Sequence, residues 1–128
     1  MKTRATALLL ILSCSTAVAT EQAEHKEWEW RGPGEAGSWL QTERRGSTVT
    51  FSLELNRGEP SYNIGMASAQ FPLEHHLGIY QPYELPGCAL AFAFVGDEVE
   101  IKQVGSGSDC DFGFGVMASH VLTLKQAE

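Results

Sequence analysis

The sequence predicts an all-β protein, a small antiparallel β-barrel or barrel-like sandwich of about six to eight strands with one disulfide. Three observations predict it. Val49, Phe51, Leu53 and Leu55 alternate without a break with Thr48, Thr50, Ser52 and Glu54. That period of two describes a strand with one buried and one wet face; on a helix the same apolar residues would scatter around the circumference. Ala89–Val95 and Glu98–Val104 flank Gly96-Asp97, a tight-turn dipeptide between two alternating runs, and this predicts a hairpin. Turn-forming residues also recur at roughly ten-residue spacing, with no convincing amphipathic helix between them.

The chain opens like an exported protein. Lys2 and Arg4 precede an apolar run, Ala5–Leu12, and Ala17-Val18-Ala19 is a small-x-small site with cleavage expected before Thr20. The apolar run is too short for a bilayer, which takes roughly 20 residues, so no transmembrane segment is expected in the mature chain. Ile11-Leu12-Ser13-Cys14 offers an alternative, because it resembles a lipoprotein box in which Cys14 becomes the lipidated first residue. Removal of residues 1–19 leaves 109 of the 128, enough for one domain. It takes two of the nine basic residues and none of the sixteen acidic ones, leaving a formal charge of −9. Repulsion disfavours nucleic acid and anionic membrane surfaces and favours a basic partner.

Residues 20–27 are polar, without an apolar period, and are expected to be a flexible N-terminus before a single β domain at 28–128. Trp28-Glu29-Trp30 begins that domain, with both indoles on one face, and Gly32-Pro33-Gly34 breaks the strand. Ser38–Arg44 is the next expected strand, with Trp39 and Leu40 on opposite faces. Arg45-Gly46 turns it into Ser47–Leu55. Asn56–Pro60 is a turn, and Ser61–Phe71 a weaker strand in which Gly65 marks a bulge or a close crossing. Pro72, Pro82 and Pro86 confine any strand between them to Leu77–Tyr80. In the hairpin, Leu90, Phe92 and Phe94 alternate with Ala89, Ala91 and Ala93, as suits a tight barrel. Gly105–Asp109 is a Gly/Ser loop, and Phe112–Val116 and Val121–Leu124 are expected to supply one or two returning strands.

With Cys14 cleaved, Cys88 and Cys110 remain, and in an oxidising compartment they are expected to pair. Closing a loop of 22 residues stabilises by about 3 kcal/mol on chain-entropy reasoning.

Chemistry is sparse. His75 and His76 are adjacent, which on a strand sends them to opposite faces, and His25 and His120 lie far off in sequence. No metal-ligand spacing exists, so neither a metal nor another cofactor is expected. Asp109 and Asp111 bracket Cys110 and are expected to be solvated loop carboxylates. No nucleophile elbow and no P-loop occur. An enzyme would need a pocket that gathers Asp109, Asp111, His75 or His120, and none is expected. Ser106, Gly107, Ser108 and Asp109 are the candidate binding loop, a flexible tip on a rigid scaffold. Trp28, Trp30, Trp39, Tyr62, Tyr80 and Tyr83 are divided between core packing and a candidate aromatic surface.

The C-terminal half resembles small exported bacterial proteins and lipoproteins with a C-x-L-x-F-x-F, G-(D/N)-x-V-x-I-x-Q, C-G-F-G-x-G-V and G-Y pattern. The matching residues are Cys88–Phe94, Gly96–Gln103 and Cys110–Val116, about a third of the chain, with Asp111 where the pattern has Gly and His120-Val121 where it has Gly-Tyr. The resemblance implies export, a Cys88–Cys110 disulfide and a compact β fold, with no transferable activity. More distantly, the chain is similar to periplasmic inhibitors of C-type lysozymes, which are small acidic disulfide-bonded β-barrels. Their S-G-x-x-Y loop is matched here only in Ser106-Gly107, with Cys110 in place of the tyrosine. Together these readings lead to the expectation of a periplasmic, monomeric, non-enzymatic binding or inhibitor protein. The alternative is a structural envelope protein, anchored at the outer membrane if Cys14 is lipidated.

Overall fold

The alternation at Val49–Leu55 is realised as a strand with all four apolar side chains 1–2% exposed. In a computed structural model describing residues 22–125, this strand is β3 (Thr48–Asn56) of eight. The others are β1 (Glu24–Arg31), β2 (Gly37–Arg45), β4 (Ile64–Pro72), β5 (Leu77–Tyr80), β6 (Ala89–Val95), β7 (Glu98–Val104) and β8 (Val121–Leu124). All pair antiparallel in one sheet of order β4-β3-β2-β1-β8-β7-β6-β5. The last strand returns to the first through Trp28 opposite Leu124 and Glu29 opposite Thr123. The result is an up-and-down barrel, closed except at one seam. There β4 and β5 share no ladder, only the bridge between Glu74 and Leu77 in the turn that joins them. The signal-like segment and Cys14 lie outside the described residues.

Inside the barrel, aromatic rings pack in a connected series. Phe51 lies 5.0 Å from Phe92, 5.3 Å from Tyr80 and 5.6 Å from Phe71, centroid to centroid. Phe94 continues the series to Trp28 at 5.7 Å. Rings at these spacings add to the burial of their large apolar surfaces. Trp28 Nε1 donates to the buried Thr42 Oγ1 at 3.1 Å, so neither polar atom is left unpaired. Ser38 Oγ is the exception among the described residues: it is buried and has no partner.

Two expectations are corrected. Residues 24–27 are not a flexible start; they belong to β1 and pair with Gln41–Arg44. Their polarity has a physical cause. Glu24 and Lys26 share the inward side with Trp28 at the barrel mouth, where they pair at 3.1 Å and the ammonium lies 5.7 Å from the indole centroid. The strand expected from Ser61 starts at Ile64, because Tyr62 has a positive φ of 51° and closes the preceding turn. Of the one or two returning strands expected, Val121–Leu124 is the one that forms, and Phe112–Val116 is irregular with a turn at Phe114-Gly115.

The segment before β8 instead forms the floor of the barrel. Cys88 and Cys110 are bonded, with Cα atoms 4.9 Å apart, and Phe112, Val116 and Ala118 are buried beside them. Phe112 crosses β4 at Gly65, where a Cβ would stand 2.7 Å from the ring. The glycine in β4 is therefore a close crossing.

Candidate functional site

Alternating strand direction sends every second connection to the same end. One end carries short turns at 46–47, 73–76 and 96–97. The other carries the long connections at 32–36, 57–63, 81–88 and 105–120. This loop end is the candidate site, since variable loops held by a rigid scaffold are where binding residues concentrate. Its four connections hold five carboxylates, Glu35, Glu59, Glu84, Asp109 and Asp111, against one strong base, Arg57.

The expected binding loop is built differently from a flexible tip. Asp109 Oδ2 accepts from the Ser106 amide at 2.7 Å and from Ser106 Oγ at 2.9 Å. Those two bonds, the backbone one first, hold the Asp109 carboxyl below the ordinary carboxylate range. Ser106 Oγ lies 3.0 Å from Ser108 Oγ. Gly107 is buried, and its carbonyl accepts from the Phe112 amide at 2.7 Å. Gln103 fastens the segment to β7, since its Oε1 accepts from the Ala118 amide at 2.7 Å and its own amide donates to Ser119 Oγ at 2.9 Å. Ser106–Asp109 thus spends its polar groups on its own fold, with Ser106, Ser108 and Asp109 still exposed at the rim.

Phe114, 82% exposed, is among the side chains this end presents outward. Its carbonyl accepts from Asn63 Nδ2 at 2.9 Å and from Arg57 Nη1 at 3.3 Å. The Arg57 guanidinium also lies 5.6 Å from the ring centroid. The Gly113 amide donates to the Ile64 carbonyl at 2.8 Å, tying the turn to the start of β4. Gly115, at φ 72°, lies against Arg57 where a side chain would collide with the guanidinium. Tyr83, on the 81–88 connection at the same end of the barrel, is 96% exposed. Tyr62 donates to Glu59 Oε1 at 3.3 Å, and its phenol is pushed up by desolvation and by Glu35 and Glu59.

The titratable residues considered for catalysis are dispersed. His75 lies in the short turn before β5, at the opposite end from Asp109, Asp111 and His120. His120 stacks on Trp30 at 3.6 Å with 11° between the planes, and burial pushes its imidazole below the ordinary value. No group of three or more metal-ligating side chains occurs among the described residues. Nor is any helix among them long and apolar enough to cross a membrane. Of the aromatic residues in question, Trp28 is core, Trp30 and Tyr80 pack against it, and Tyr62 and Tyr83 are exposed at the loop end.

Arg57, Asn63 and Phe114 were not signalled by sequence spacing. They are brought together by a register between β3, β4 and a loop some fifty residues later, and Phe112-Gly113-Phe114-Gly115 alone does not say which ring points out. Scans against family models, curated proteins and solved structures found no match.

Proposed function

We propose that this chain is an exported, non-enzymatic binding or inhibitor protein whose loop end engages a basic protein, a cationic envelope-active enzyme such as a lysozyme being the kind of partner that fits. The observation that carries this reading is the loop end itself, which holds five carboxylates and one arginine on the same end as a clamped, exposed Phe114. Acidic charge steers a cationic partner at long range, and a fixed aromatic supplies apolar contact at small entropic cost. The export-like N-terminus and the acidic balance of the whole chain point the same way.

Pull-down and inhibition assays with a cationic lysozyme, at low and at moderate salt, test it. Binding that weakens as salt rises supports the reading, and no binding at either salt removes it. Phe114→Ala is expected to cost about 2 kcal/mol of affinity, roughly thirty-fold in Kd. Circular dichroism should be unchanged in that variant, because the ring packs on little but Arg57.

A further inference from the structure

The outer wall of the barrel is not uniform. β1, β2 and β3 turn Glu27, Glu29, Glu43, Thr50 and Glu54 outward, as a solvated sheet does. β5 and β6 turn outward Leu77, Ile79, Ala89, Ala91, Ala93 and Val95, without a polar residue among them. Leu77 and Ile79 are 52% and 61% exposed. The patch has relief. Leu77 and Ile79 form a ridge on β5. Beside it Ala91 and Ala93 floor a hollow of about 230 Å³, bounded beyond by Glu100 and Lys102 of β7. Those two charges pair with each other at 3.6 Å.

We propose that this wall is the interface of a homodimer, with the Leu77–Ile79 ridge of each copy seated in the Ala91–Ala93 trough of the other. A two-fold contact needs knob and hole on the same patch, and here they lie on adjacent strands. Charge selects the occupant as well. A chain of formal charge −7 repels its own copy through most of its surface, and tolerates it best where the surface is uncharged. A basic partner finds no net attraction on this wall and five carboxylates at the loop end. The sequence reading expected a monomer; period-two alternation does not show how the small outward alanines line up beside the β5 ridge.

The test is sedimentation velocity of the mature chain from micromolar to sub-millimolar concentration, at low and high salt. The expected result is a monomer–dimer equilibrium that tightens as salt rises, the reverse of the loop-end binding above. Ile79→Glu and Ala91→Glu, on ridge and trough, should each weaken the dimer by about a hundredfold or more, since two-fold symmetry applies each change twice. Circular dichroism confirms that both variants fold, and Phe114→Ala should leave the dimer constant unchanged. A wild type that stays monomeric throughout overturns the proposal. So does a dimer indifferent to both substitutions. A monomer that co-sediments with phosphatidylcholine vesicles, and loses this with Ile79→Glu, overturns it in favour of a lipid surface.

Discussion

Gly78→Ala is expected to destabilise the barrel, although alanine in place of a strand glycine ordinarily stabilises by about 0.5–1 kcal/mol. Gly78 is buried in β5 at the seam, where no ladder joins β5 to β4. What crosses the seam is the Phe71 ring of β4, which lies over the Gly78 backbone so closely that a Cβ would fall within contact of its Cδ2 and Cε2. The ring cannot simply yield. It is fully buried and stacks on Phe92 at 4.9 Å, with Phe51 at 5.6 Å. Overpacking a fixed ring costs about 1–3 kcal/mol, so the net loss after the entropic gain is about 1–2 kcal/mol. For a domain of this size that lowers Tm by roughly 5–15 °C. Thermal melts and urea titrations of Gly78→Ala, Phe71→Leu and the double variant check it. In the smaller Phe71→Leu background the alanine should cost less, giving a coupling of about 1 kcal/mol. A neutral or stabilising Gly78→Ala, or strict additivity in the cycle, would refute the claim that this ring closes the seam.

Replacing Cys88 and Cys110 by alanine should lower stability by about 3 kcal/mol or more, read as a shift in urea midpoint, because the floor loses its cross-link as well as its packing. Ser38→Ala should be neutral or stabilising by up to about 1 kcal/mol, since the hydroxyl is buried without a partner; a clear loss in thermal melts would reveal a bond the geometry does not contain. His120 is pushed below its ordinary value of 6.5 by burial against Trp30, so the folded state favours neutral imidazole. Its contribution is complete above pH 6.5 and is lost as pH falls toward the lowered folded value, and His120→Phe should flatten that part of the stability profile. Proton NMR of the imidazole reports the same titration directly. Asp109 acts in a lower window, with its contribution present above 3.8 and lost as pH falls below it.

The strands legible in sequence are those with one face dry along their whole length. β3 and the β6–β7 hairpin meet that condition, and the Gly96-Asp97 turn and the inward Leu90, Phe92, Val99 and Ile101 stand as the alternation required. β1 was half hidden, because its first inward positions are Glu24 and Lys26 at the mouth, where a barrel admits charge. The loop end was hidden more deeply. Phe112-Gly113-Phe114-Gly115 alternates like a strand, yet its glycines serve close approaches to Ile64 and Arg57, and its two rings go to opposite fates, one into the floor and one into solvent. Which ring does which depends on Asn63 and Arg57, fixed only once β3 and β4 are paired.

In a meander every second connection returns to the same end, and here the four longer ones all share one end, so loop length becomes a property of a surface. The disulfide then joins two of those connections, 81–88 and 105–120, at the edge of the buried core. A surface assembled this way has already lost its conformational freedom on folding, and a partner that meets it gives up less entropy than with a free loop. The same meander keeps the uncharged β5–β6 wall on the barrel's side and the carboxylates on its end. Salt is therefore expected to act in opposite directions on the two surfaces, strengthening the proposed association of like-charged copies and weakening the proposed capture of a cationic protein. That opposition lets a single pair of ionic strengths tell one surface from the other before any residue is changed.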